Sequence, residues 1–145
     1  SHLRICDRPQ DIHAVRIAAG EARCVIGGDL VVSASAEAVS RMRAGLTRAV
    51  VNCAETPTAE FTRNPDWQFP VAAMQRSISE ATGTDGVDFV DATELATALM
   101  GDAIATNLLL LGYAWQKGLV PVSQEALERA IELNAVAVDM NRNAF

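Results

Sequence analysis

Val87-Asp88-Phe89-Val90-Asp91-Ala92-Thr93-Glu94-Leu95-Ala96-Thr97-Ala98-Leu99-Met100-Gly101 is the stretch that decides the fold. Three of its first four residues are apolar, which reads as a central strand. Helix is expected from about Thr93, with Gly101 as its stop and Asp102 as the cap of whatever follows. Asp88 and Asp91 flank the strand end, where open α/β sheets tend to bind ligands. Asp91 serves equally well as a helix cap ahead of Thr93 and Glu94.

Upstream, the same alternation recurs. Pro70 opens a helix to about Ala81, a position where proline is tolerated, and Gly83–Gly86 is a turn. Ala49-Val50-Val51-Asn52 is a buried strand. Residues 54–69, with Pro57, Pro65 and several threonines, read as a long loop. Leu30-Val31-Val32-Ser33-Ala34 is nearly all apolar, the mark of a strand covered on both faces. Ser35 then caps a helix through about Arg43, with Glu37 favouring its dipole. Gly27-Gly28-Asp29 is a turn. Residues 11–26 keep two readings, strand or irregular helix ending at Gly20. Leu3 and Ile5 alternate with polar neighbours, predicting a half-buried strand that Asp7-Arg8-Pro9 breaks.

Downstream, Leu108–Trp115 is apolar on every face. Such a helix should be buried all round, in the core or against a partner, which leaves room for a homodimer. Asn107 would then be a buried amide. It needs a partner, in a neighbouring strand's backbone or across a subunit interface. Ser123 caps the last clear helix, with Ala126, Leu127, Ala130 and Ile131 as its apolar stripe and Glu125–Arg129 as an i,i+4 ion pair. Strands alternating with helices predict an α/β fold: one domain over residues 1–145, three-layer α/β/α, with a mostly parallel, Rossmann-like sheet.

Bulk properties narrow the function. The chain has 145 residues and a net charge of −6. Such a surface repels phosphate backbones, which argues against nucleic acid as a partner. Aromatics make up 5% of the chain, and Trp67, Tyr113 and Trp115 are too scattered to stack bases. The apolar stretch from Leu95 to Trp115 is interrupted by Gly101, Asp102, Thr106 and Asn107, so no membrane span is expected. No signal peptide is recognised, and a cytoplasmic location is expected. The chain opens on strand-like residues and ends on helix-like ones, as a piece of a longer protein would.

Residue chemistry suggests no catalytic group. Cys6, Cys24 and Cys53 form no C-x-x-C pair and lack the clustering that iron–sulfur ligation needs. His2 and His13 have no orienting partner in sequence, so neither reads as a general base. No histidine–carboxylate cluster suggests a metal site. Gly27-Gly28 lacks the strand-before, helix-after context of a phosphate loop, because a strand is expected to follow it. The best ligand- or partner-facing segment is Asn52–Thr58, at the mouth of the long loop. Asn52, Thr56 and Thr58 are its candidate binding residues, with Asn107 as a fourth; an Asn- and Thr-rich turn is the plainer reading.

One resemblance goes further. Gly28–Ser35, Arg48–Asn52 with Thr56-Pro57-Thr58, Gly101–Asn107, Leu111-Gly112-Tyr113-Ala114-Trp115 and Gly118-Leu119-Val120-Pro121 follow one another as in the gamma-type domain of 2-oxoacid:ferredoxin oxidoreductases. The order is most similar to the fused indolepyruvate ferredoxin oxidoreductases. Ser1–Ile5 looks like the strand after that family's glycine-rich opening, which is not seen ahead of it. The resemblance implies an enzyme that oxidatively decarboxylates 2-oxoacids, arylpyruvates such as indolepyruvate, to acyl-CoA with ferredoxin as acceptor. It implies thiamine diphosphate, Mg2+ and 4Fe–4S clusters in the parent enzyme, carried on other domains or subunits. This piece would be inactive alone and would serve assembly or access of coenzyme A. Two readings stand beside it: a free-standing small-molecule or nucleotide-binding α/β module, and a structural dimerisation domain.

Overall fold

In the computed structural model, which describes residues 1–54 and 70–145, three strands lie side by side in chain order: β1 (Cys24–Gly27), β2 (Arg48–Asn52) and β3 (Val87–Val90). All are parallel, with Cys24 opposite Arg48 and Ala49 opposite Val87. The helices are α1 (Leu30–Ser33), α2 (Ala36–Val39), α3 (Val71–Thr82), α4 (Ala92–Met100), α5 (Thr106–Gln116), α6 (Gln124–Asn134) and α7 (Val138–Ala144). Short 3-10 turns lie at Pro9–Asp11 and Ala103–Ala105.

The pleat of β2 divides the core. Ala49 and Val51 point to one face, where they meet Leu30, Met42 and Ile78 of the α1–α3 side. Val50 points to the other, against Ala92, Leu110 and Ala114 of α4 and α5. Both valines are fully buried, and each contributes roughly 1.5–3 kcal/mol. A third cluster, Ala96, Ala105 and Ala144, joins α4 and α7. Helices on both faces of a parallel sheet give the three-layer α/β/α arrangement that the alternation predicts. Among the described residues no helix is long and apolar enough to cross a membrane.

Several sequence expectations are corrected here. Leu3 and Ile5 form no strand. Leu3 is 77% exposed, and the segment folds back instead, with the Ile17 N–H donating to His2 Nδ1 and Arg4 donating to the Arg16 carbonyl. Two alternating residues carry no ladder of their own, and a strand needs a partner. The ambiguous 11–26 stretch yields only β1, at its end. Leu30–Ala34 is no strand: Leu30–Ser33 is helix and Ala34 its C-cap. Asp29 Oδ1 accepts from the Val32 N–H at 2.8 Å, and Ser33 Oγ donates to the Asp29 carbonyl at 2.6 Å. These local bonds override the strand preference of the valines. Leu30 and Ser33 are buried while Val32 is 68% exposed, a helical pattern rather than a two-sided one. The helix that Ser35 caps stops at Val39.

On α5, Leu110, Gly112 and Ala114 are buried, while Leu108, Leu109, Leu111, Tyr113 and Trp115 are half-buried. No residue of Leu108–Trp115 is exposed: Leu110 and Ala114 meet Val50 of the sheet, while Gly112, on the other side of the helix, meets the Phe145 carbonyl, so α5 is packed on more than one side. Asn107 is exposed, not buried. Arg129 bonds Glu132 at 2.8 Å rather than Glu125, and Arg142 reaches the same carboxylate. Elsewhere Pro70 precedes α3, Asp91 caps α4, Gly101 ends it in the left-handed region, and Ser123 caps α6, whereas the long loop expected over residues 54–69 lies, from residue 55 on, outside the described residues.

Candidate functional site

The carboxyl edge of the sheet is organised by one amide. Asn52, the last residue of β2, is 5% exposed. Its Nδ2 donates to the Gly28 carbonyl at 3.2 Å and to Thr93 Oγ1 at 2.9 Å. Its Oδ1 accepts from the Ala92 N–H at 3.1 Å and the Ala54 N–H at 3.3 Å. Two donors and two acceptors exhaust what a carboxamide offers. Asn52 therefore clamps the exits of all three strands and keeps no free valence for a ligand.

Around it lies an open depression lined, among the described residues, by Cys53, Ala54, Asp91, Thr93, Glu94, Thr97 and Ala98. Thr93 and Thr97 stand one helical turn apart on α4, and Thr97 Oγ1 donates back to the Thr93 carbonyl. Asp91 Oδ1 accepts from the Glu94 N–H at 2.8 Å, which fixes the acid at the helix start. Burial pushes the Cys53 thiol above its usual range, and the Asp91 carboxylate adds to that push. Both causes disfavour the thiolate, the reactive form of the side chain. Burial likewise raises Cys24.

The opposite corner differs from its sequence reading. Gly27-Gly28-Asp29 follows a strand and precedes a helix, so the strand expected after it is replaced by α1. Yet the corner suits no phosphate. Asp29 already occupies the Val32 N–H with its own carboxylate. Gly27 is needed for packing: a Cβ there would collide with Ser33 Oγ. Asn107 comes to this corner, its Oδ1 3.4 Å from where a Gly28 Cβ would stand. Asn52 and Asn107 thus approach the same Gly28 from two elements. Thr56 and Thr58 lie outside the described residues. Asp88 is drawn away from Asp91, paired to Lys117 at 3.1 Å. Thr93 and Thr97 were missed in the sequence; their i,i+4 spacing behind a capping acid is the signal that could have found them.

The cofactors implied by the resemblance do not fit these residues. Cys6 is exposed on the N-terminal segment, Cys24 lies in β1, and Cys53 follows β2. Among the described residues no group of three His, Cys, Asp or Glu is placed to hold a metal ion. A diphosphate needs free N–H groups or cations, whereas this edge presents Asp29, Asp91 and Glu94. No chemical step is assigned to the described residues.

Comparison with curated proteins and with solved structures brought no match. Comparison with protein families brought one, pyruvate ferredoxin/flavodoxin oxidoreductase, over residues 1–145. That span takes in the three-stranded sheet, the Asn52 clamp and every helix, in keeping with the gamma-type resemblance; the chain belongs to the pyruvate ferredoxin/flavodoxin oxidoreductase family.

Proposed function

We propose that this chain is a non-catalytic, gamma-type domain of an enzyme that oxidatively decarboxylates 2-oxoacids to acyl-CoA, with ferredoxin as electron acceptor. Arylpyruvates, indolepyruvate above all, are its substrates. Thiamine diphosphate, Mg2+ and the iron–sulfur clusters sit on other parts of the parent enzyme. This domain supports assembly and the approach of coenzyme A. The observation that carries the reading is the family match along the whole length. The saturated Asn52 amide favours a structural role within it.

The test is anaerobic viologen-dye reduction by the parent enzyme, with indolepyruvate or phenylpyruvate, with and without coenzyme A. Reduction that requires both an arylpyruvate and coenzyme A is expected. Reduction with pyruvate alone would remove the arylpyruvate assignment. No reduction by cofactor-loaded enzyme would remove the activity and promote the small-molecule-binding module, for which the carboxyl-edge depression is the natural seat.

A further inference from the structure

From Ser77 to Gln116 the sequence holds six acids, Glu80, Asp85, Asp88, Asp91, Glu94 and Asp102, and no lysine or arginine. Within that stretch α4 and the 3-10 turn packed on it expose three large apolar side chains: Leu95 at 44%, Leu99 at 66% and Ile104 at 65%. Leu95 and Leu99 are one helical turn apart, on the flank of α4 away from Thr93 and Thr97. Glu94 and Asp102, both exposed, lie one residue before Leu95 and three after Leu99; Glu94 borders the depression beside Asp91 as well. Among the described residues, Lys117 pairs with Asp88, and Arg142 with Glu132.

An apolar centre rimmed by charge is the build of a protein interface, and the sign of the rim selects the partner. A second copy would set Glu94 and Asp102 against carboxylates, in a chain whose net charge is already −6. We infer that the Leu95–Leu99–Ile104 flank docks a lysine- or arginine-rimmed apolar surface on another part of the parent enzyme. This rests on the multidomain reading above and names the face through which the domain is held. The neutral half of the contact is the three apolar side chains. The salt-sensitive half is Glu94 and Asp102 facing the partner's cations.

The experiment is hydroxyl-radical footprinting of the intact parent enzyme, read by mass spectrometry. Leu133 and Val136, 69% and 59% exposed in the α6–α7 corner, are the internal reference. Leu99 and Ile104 are expected to oxidise at least fivefold more slowly than the reference in low salt. In 1 M sodium chloride, or in a Glu94→Lys variant, that gap should narrow to below twofold. Glu94 is exposed, so the variant is expected to fold. Oxidation at the reference rate in low salt would overturn the inference, because the face would be free. Protection indifferent to salt and to Glu94→Lys would overturn the charge selection. Protection that grows with enzyme concentration would assign the face to a second copy and overturn it also. Dye reduction by the same sample is read in parallel: a protected face on an inactive enzyme would sink the activity and leave the docking surface standing.

Discussion

The β1–α1 and β3–α4 corners are built to one plan from unlike sequences. Each is a parallel strand, an aspartate whose carboxylate takes an N–H three residues on, and a helix. After Asp91 come Ala-Thr-Glu-Leu-Ala, good helix formers but for the threonine, and α4 runs nine residues. After Asp29 come Leu-Val-Val-Ser, which favour strands, and α1 runs four. The difference teaches where helix is a property of the segment and where it is imposed by the corner. α4 would be expected from its residues alone. α1 exists because the Asp29 cap, the Ser33 bond and the tight Gly27 contact leave no other path.

Asn52 joins the two corners, so its removal is expected to have the largest effect. Asn52→Ala strands the Gly28 carbonyl and the Ala92 N–H together, and roughly 3–5 kcal/mol of stability should be lost. Urea unfolding measures it; a loss below about 1 kcal/mol would mean that water replaces the clamp and the corners are independent. Gly27→Ala comes next. Its Cβ overlaps Ser33 Oγ, and about 1–3 kcal/mol should be lost, with much of it recovered in Gly27→Ala/Ser33→Ala. Additive single effects in that cycle would show that the contact does not shape α1.

The caps give a smaller contrast. Asp29→Ala and Asp91→Ala should each cost about 1 kcal/mol. Hydrogen exchange separates them: α1 amides should lose protection outright in the first variant, while α4 should fray only at its start in the second. Equal loss at both corners would erase the distinction between an imposed helix and an intrinsic one. The smallest effect is on the thiols. Removing the Asp91 charge takes away one cause of the raised Cys53 pKa, so Asp91→Asn should speed Cys53 alkylation at pH 8 and leave Cys24 unchanged. The sign for stability follows. Burial favours the neutral thiol, so its contribution is intact below the usual thiol value of 9.0 and is lost as pH rises above it. An alkylation ratio unaffected by Asp91→Asn would show that the carboxylate does not reach the thiol.

How far the sequence could be read depended on whether the deciding interactions were local. Val87–Val90, the Asp91 cap and the Gly101 stop lie within fifteen residues of one another, and each was legible. So was Arg48–Asn52, whose apolar run is fully buried. Leu30–Ser33 was not, because its helix depends on Gly27 approaching Ser33, a packing contact that a propensity cannot express. Leu3 and Ile5 alternate as a strand would, but their partner, if any, is not written in their own spacing. At the site, Asn52 reads from the sequence as the start of a loop mouth and Asn107 as a polar residue in an apolar helix. Only the fold separates the saturated clamp from the exposed amide beside Gly28.

Gly112 gives the molecule an order in time. A side chain there would strike the Phe145 carbonyl, so α5 lies flush with the end of α7, and the Trp115 and Phe145 rings meet at 5.7 Å. On the ribosome, all three strands and the α1–α3 side of the sheet are made before α7 emerges, and that half can close first. The α4–α5 side must wait with its alanine cluster open until Ala144 and Phe145 have been synthesised. Nascent chains stalled before and after Phe145 leaves the exit tunnel should therefore differ in protease resistance at α4 and α5, and match at β2.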